Sequence, residues 1–131
     1  FPTGQRPLGL ALAPNGRLFV GSSNGGIKHY RVEGAKLLDG MPYGTYTGSA
    51  NDLAFDVTGR LYVADHIGTT ARPLVQITNN GTSINPLSQV TGQLSALAFG
   101  RGALRCDDLY VGDAAAVAHR WMAPAQGIDT P

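Results

Sequence analysis

Only one cysteine, Cys106, occurs in 131 residues, which excludes an internal disulfide and a cysteine-cluster zinc site within these residues. A bridge from Cys106 to a segment outside them stays open. Charge is scarce too: Asp, Glu, Lys and Arg make up 15%, against roughly 25% in ordinary soluble domains. The ten basic and nine acidic residues give a formal charge of +1 and form no runs, so there is no electrostatic footprint for nucleic acid or an anionic membrane. No apolar stretch approaches the roughly 20 residues that a membrane-spanning helix needs. No Walker or dinucleotide glycine motif opens a helix after a strand, and no histidine pair has metalloprotease spacing. Phe1-Pro2-Thr3-Gly4 has neither an initiator methionine nor a signal-peptide pattern, as expected of a chain processed or cut from a longer one.

What is abundant is turn-forming and apolar residue. With Gly at 18, Pro at 8 and 43% hydrophobic residues, the composition has material for a core, many turns and few long helices, which favours an all-β chain. Asn80-Gly81-Thr82 is an N-glycosylation sequon, a tripeptide common enough by chance to carry little weight.

The decisive feature is an internal repeat. Leu8 to Ser22, Asn51 to Asp65, and Ser95 to Gly100 with Asp108 to Asp113 share one pattern, about 43 to 48 residues apart: apolar strand, glycine-containing turn, aromatic strand. Each first strand is small and apolar, as expected where both faces are covered. Asn15-Gly16 suits a two-residue hairpin, whose twist needs residues that tolerate positive φ. Third strands follow at Ile27 to Val32, Leu74 to Thr78 and Val117 to Trp121, with weaker edge strands around Ala35 to Leu38 and Ser83 to Leu87. Four short antiparallel strands at this period describe a β-propeller blade. The expected architecture is therefore all-β: three four-stranded blades, near residues 6–40, 49–90 and 93–127, of a six-bladed wheel. Three blades do not close a ring, which normally takes about four to eight, so the remainder of the propeller must come from the same parent chain, a second chain or a symmetric copy.

Arg6-Pro7-Leu8-Gly9-Leu10, Asn51 to Asp56, Gly59 to Asp65 and Phe99 to Val111 give the chain its family resemblance. It is similar to the senescence marker protein and gluconolactonase-like family, with strictosidine-synthase-like proteins as near relatives. The last segment resembles the closing blade of bacterial, often exported members, which implies an extracellular or periplasmic location. The resemblance further implies a divalent metal, calcium foremost, held on the central axis by carboxylate and amide oxygens and used to open a sugar lactone. Axial ligands in such proteins stand at the start of the innermost strand. That position falls on Leu8, Asn51 and Ser95 here, so Asn51 and Ser95 are the metal candidates while leucine offers no oxygen.

Strand alternation puts the loop entering each innermost strand and the turn between second and third strands at one end of the blade, one mouth of the wheel. That mouth collects Met41 to Asp52, Asp65 to Thr70, Ser22 to Gly25 and Asp113. Asp52 is a candidate carboxylate there, and Asp65 or His66 a candidate to polarise water. The competing reading is structural: Asx residues at strand starts and turns cap their own backbone, and Asp65 and Asp113 follow the same Val-x pair. Gly21 to Gly25 matches G-x-S-x-G, but a strand rather than a helix follows, so a hairpin is expected. His29 and His119 occupy matching third-strand places and read as half-exposed strand residues. Tyr43 and Tyr46 suit either an aromatic lip over a small sugar-like ligand or packing on their own blade. Trp121 and Met122 are expected between sheets.

Two functions compete: a metal-dependent hydrolase of sugar lactones or similar cyclic esters, and a non-catalytic propeller serving as a binding or assembly module. The first predicts a cation at Asn51; the second gains from Leu8. A dehydrogenase or synthase on the same wheel is a third class that no residue here specifically requires.

Overall fold

The computed structural model describes residues 5–23, 26–65, 74–87, 93–100, 103–113, 115, 117–122 and 127. It contains three antiparallel sheets in chain order. The first comprises β1 (Pro7–Leu12), β2 (Leu18–Ser22), β3 (Ile27–Glu33) and β4 (Lys36–Pro42). The second comprises β5 (Ala50–Phe55), β6 (Leu61–Asp65), β7 (Leu74–Thr78) and β8 (Ser83–Leu87), with a 3-10 turn at Asn79–Gly81. The third holds β9 (Leu94–Phe99), β10 (Asp108–Asp113) and β11 (Ala118–Met122), three strands among the described residues where four were expected. Each sheet is a meander of neighbouring strands, and β1, β5 and β9 pack side by side as the innermost strands.

Local chemistry explains the hairpins. Where a two-residue hairpin was expected at Asn15-Gly16, the turn is a three-residue loop closed by Ala13 and Arg17, repeated between Asp56 and Arg60, with only its last residue, Gly16 or Gly59, at positive φ (81° and 86°), where a side chain would be strained. The edge strand β4 extends to Pro42, past the short stretch expected from its composition, because Lys28 and His29 of β3 pair with Pro42 and Met41.

The hydrophobic core lies between blades. One cluster joins the first two sheets through Phe19, Ile27, Leu53, Phe55, Val63 and Ile77; the other joins the second and third through Tyr62, Leu74, Leu94, Leu97, Leu109 and Val111. The middle sheet thus has no wet face near the centre. All five residues of β6 are buried, and its sequence Leu-Tyr-Val-Ala-Asp shows no apolar–polar alternation. Close backbone approach does the rest: a Cβ on Gly9 would stand 2.7 Å from Asp52 Cα, and Gly21 lies equally tight against Ala50. The glycine at the head of the G-x-S-x-G stretch therefore serves blade packing, and its chain continues into strand β3.

On the outer side of the first blade, Leu10, Leu12, Val32 and Leu37 are exposed. Leu37 pairs with Val32 across β3 and β4.

Candidate functional site at the axial mouth

The three innermost strands share an irregularity at the same end. In β5, Ala50 pairs with Asp65 and Asp52 with Ala64, leaving Asn51 as an extra residue without a cross-strand partner. In β9, Leu94 pairs with Asp113 and Ala96 with Gly112, leaving Ser95 extra. In β1, Pro7 pairs with Ser22 and Leu10 with Val20, so Leu8 and Gly9 face Gly21 alone. A β-bulge bends the strand and re-aims a side chain, and bulges concentrate at barrel rims and sites. The structure thus gives Leu8, Asn51 and Ser95 one shared local geometry at one mouth.

Asn51 is the best-organised of the three. Its Nδ2 donates to the carbonyls of Leu94 (3.3 Å) and Ser95 (3.2 Å) on the neighbouring blade. Two acceptors on one side require the NH2 end of the amide there, which fixes the amide plane and turns Oδ1 away from them. No described residue donates to that oxygen. Ser95 Oγ donates to Gly112 O at 3.3 Å and retains its lone pairs. Leu8 is exposed and carries no oxygen on its side chain.

Asp52 is held differently. Its Oδ1 accepts the Leu53 N–H at 2.9 Å and its Oδ2 accepts the Leu97 N–H at 2.9 Å, which straps β5 to β9 across the blade boundary. Asp65, the last residue of β6, is buried and accepts a hydrogen bond from the Tyr46 hydroxyl at 2.5 Å. Burial, reinforced by that bond, pushes the Tyr46 phenol far above its ordinary pKa. Tyr43 packs edge-on against Phe19 at 4.7 Å, and burial raises its pKa as well. Both tyrosines therefore pack on the boundary between the first two blades, rather than on their own blade alone. His66 lies outside the described residues, as do parts of the Ser22–Gly25 and Asp65–Thr70 turns. The side chains of Trp121 and Met122 lie outside them too.

One pairing went unforeseen in the sequence. Asp113, at the place in β10 that Asp65 holds in β6, caps its turn by accepting the Ala115 and Val117 N–H groups at 2.9 Å. Its other oxygen stands 3.0 Å from His119 Nε2, and this bond foremost lowers the Asp113 pKa. The capping role was legible from the Val-x-Asp repeat; the histidine was not, since its six-residue separation becomes contact only through the β10–β11 turn.

Whether these residues suit an axial cation follows from their donors. Asn51 Oδ1 and Ser95 Oγ are hard, neutral oxygens fit for calcium, whereas the Asp52 and Asp65 carboxylates are engaged by backbone and Tyr46 donors. Among the described residues no group of three or more His, Cys, Asp and Glu is placed to hold a metal ion. By donor type alone the Asn51 and Ser95 oxygens suit a hard cation, which takes about six to eight such ligands.

No protein-family model and no curated protein sequence matches the chain. Solved structures do. A gluconolactonase from Xanthomonas campestris superposes with a TM-score of 0.63 at 18% identity, over 82% of this chain and 34% of that one. Virginiamycin B lyase from Staphylococcus aureus superposes with a TM-score of 0.53 at 13% identity, over 92% of this chain and 42% of that one. Both are β-propellers, and the chain spans less than half of either. Together with the three sheets and their inner strands, this likeness shows the fold: the chain forms three consecutive blades of a β-propeller.

Proposed function

We propose that these blades form one sector of a propeller hydrolase of sugar lactones or similar cyclic esters, with Asn51 and Ser95 presenting neutral oxygens at the axial mouth. The observation that carries this reading is the Asn51 bulge, whose amide is tethered by two carbonyls of the next blade so that its oxygen stands pre-oriented. The structural likeness to a gluconolactonase supports it. A divalent cation bound there would polarise a lactone carbonyl and lower the pKa of a bound water. The chain's own contribution is positional: Asp52 straps two blades together, and Asn51 and Ser95 present donors from adjacent inner strands. Asp65, bonded to Tyr46, supports the floor of the mouth. The reacting carboxylate, on this reading, is supplied by other blades of the wheel.

The second reading, a non-catalytic binding module, draws on Leu8 at the first bulge and on the engagement of the mouth carboxylates Asp52, Asp65 and Asp113. Calcium titration calorimetry and a gluconolactone hydrolysis assay on the assembled propeller that contains these three blades, with Asn51→Ala alongside, separate the two. The hydrolase reading expects calcium binding that weakens about tenfold in the variant, a typical cost for losing one metal ligand or its support, together with hydrolysis that falls in parallel. Neither binding nor turnover would refute it and leave the binding module.

A further inference from the structure

A second recess lies away from the axial mouth, between the first two blades at the end carrying the Asn15-Gly16 and Thr58-Gly59 turns. It is a cleft of about 710 Å³, within the range that encloses small-molecule ligands. Its floor is aromatic: Phe19 and Phe55 meet edge-on at 4.8 Å, and Phe19 is flanked by Tyr43 at 4.7 Å and His29 at 5.1 Å. Its rim is cationic, contributed by Arg17 from one blade and Arg60 from the other.

The two guanidinium groups are unequally neutralised. Arg60 Nε lies 3.8 Å from Asp56 Oδ2, but that buried carboxylate already accepts the Thr58 and Arg60 N–H groups, the Thr58 hydroxyl and the Tyr62 hydroxyl. Arg17 has only neutral partners among the described residues: Nε donates to His29 Nδ1 at 2.9 Å and an NH2 group reaches the Asp39 carbonyl at 3.4 Å. The Asp39 carboxylate is turned to Arg31 instead. Burial, then Arg17, lowers the His29 pKa, so the imidazole stays neutral and acts as acceptor, holding the guanidinium plane in place. The cleft therefore combines an apolar aromatic surface, which favours a planar ring, with a net positive rim that favours an anion.

We propose that this inter-blade cleft is a binding site for a small aromatic carboxylate, its ring against the partly exposed Tyr43 and His29, which pack on the buried Phe19, and its carboxylate met by Arg17, with Arg60 adding positive charge. The site is separate from the axial mouth and does not depend on lactone hydrolysis.

The test is amide NMR titration of the full chain with 2-naphthoate, and with 2-naphthamide as its neutral counterpart. Saturable shifts are expected at Asn15 and Gly59, with 2-naphthamide binding about tenfold more weakly, the scale of one charge-assisted hydrogen bond. Arg17→Gln is expected to weaken 2-naphthoate about tenfold and leave 2-naphthamide unchanged. Arg60→Gln, which also weakens the acid, serves if Arg17→Gln loses the native spectrum. Three results each overturn the proposal: no saturation, shifts centred on Leu10 and Leu12, or acid affinity indifferent to both substitutions.

Discussion

Asp52→Ala separates a carboxylate that reacts from one that holds blades together. The side chain accepts two backbone N–H groups at 2.9 Å, one from its neighbour Leu53 and one from Leu97 across the blade boundary. The second matters more, because Leu97 is only 6% exposed and its N–H has little water to turn to when the carboxylate is gone. A hydrogen bond to a charged group contributes about 1.5–3 kcal/mol, so with the local bond adding little, Asp52→Ala is expected to destabilise the chain by about 2–3 kcal/mol. For a chain of this size that lowers the midpoint by about 6–12 °C. Asp52→Asn keeps an oxygen able to accept from Leu97 and loses only the charge, so a drop of about 1 kcal/mol is expected. Calorimetric melting of both variants checks the order. A midpoint for Asp52→Ala within about 1 °C of the parent, outside the range this bond predicts, would refute the strap. If lactone hydrolysis vanished in that same variant, Asp52 would be a reacting group after all.

Two further outcomes concern tyrosine and histidine pairings. Tyr46 has a raised pKa, so the folded state holds the phenol proton more tightly than the unfolded chain; its contribution is complete below the unfolded value near 10 and is lost as pH rises beyond it. Tyr46→Phe should lower stability at neutral pH by about 1–3 kcal/mol, through the hydrogen bond that the Asp65 carboxylate loses, and flatten the alkaline loss expected in urea unfolding between pH 8 and 11. A variant with the parent's stability and the parent's alkaline slope would show that the bond contributes nothing. Asp113 has a lowered pKa, so its contribution is present above the unfolded carboxylate value and is lost as pH falls through the folded one. His119→Ala should move the Asp113 carboxyl titration, followed by carbon NMR, upward; an unchanged titration would assign the shift to the turn amides alone.

Blade architecture was legible because it is built from local rules. Asn15-Gly16 and Thr58-Gly59 close hairpins through backbone preference, and the continuous apolar run Leu61 to Ala64 reports two covered faces without reference to any distant residue. The length of β4 was less legible, since its outer residues extend the strand by pairing with β3 rather than by their own propensity.

The site divides along the same line. The sequence by itself determined three repeated blades and, through their alignment, the equivalence of Leu8, Asn51 and Ser95. Only the tertiary structure decided what those positions are: extra residues in bulges, with the Asn51 amide turned by carbonyls 43 and 44 residues away. It also decided that Asp52 spans 45 residues to strap two strands, that Tyr46 closes on Asp65, and that Arg17 and Arg60 rim one cleft. A bulge is a mismatch in register between two strands, and a bridging hydrogen bond needs donor and acceptor from separate blades. Neither is a property of any single strand: the bulge comes into being when two strands of a blade pair, and the bridging bond only when blades pack.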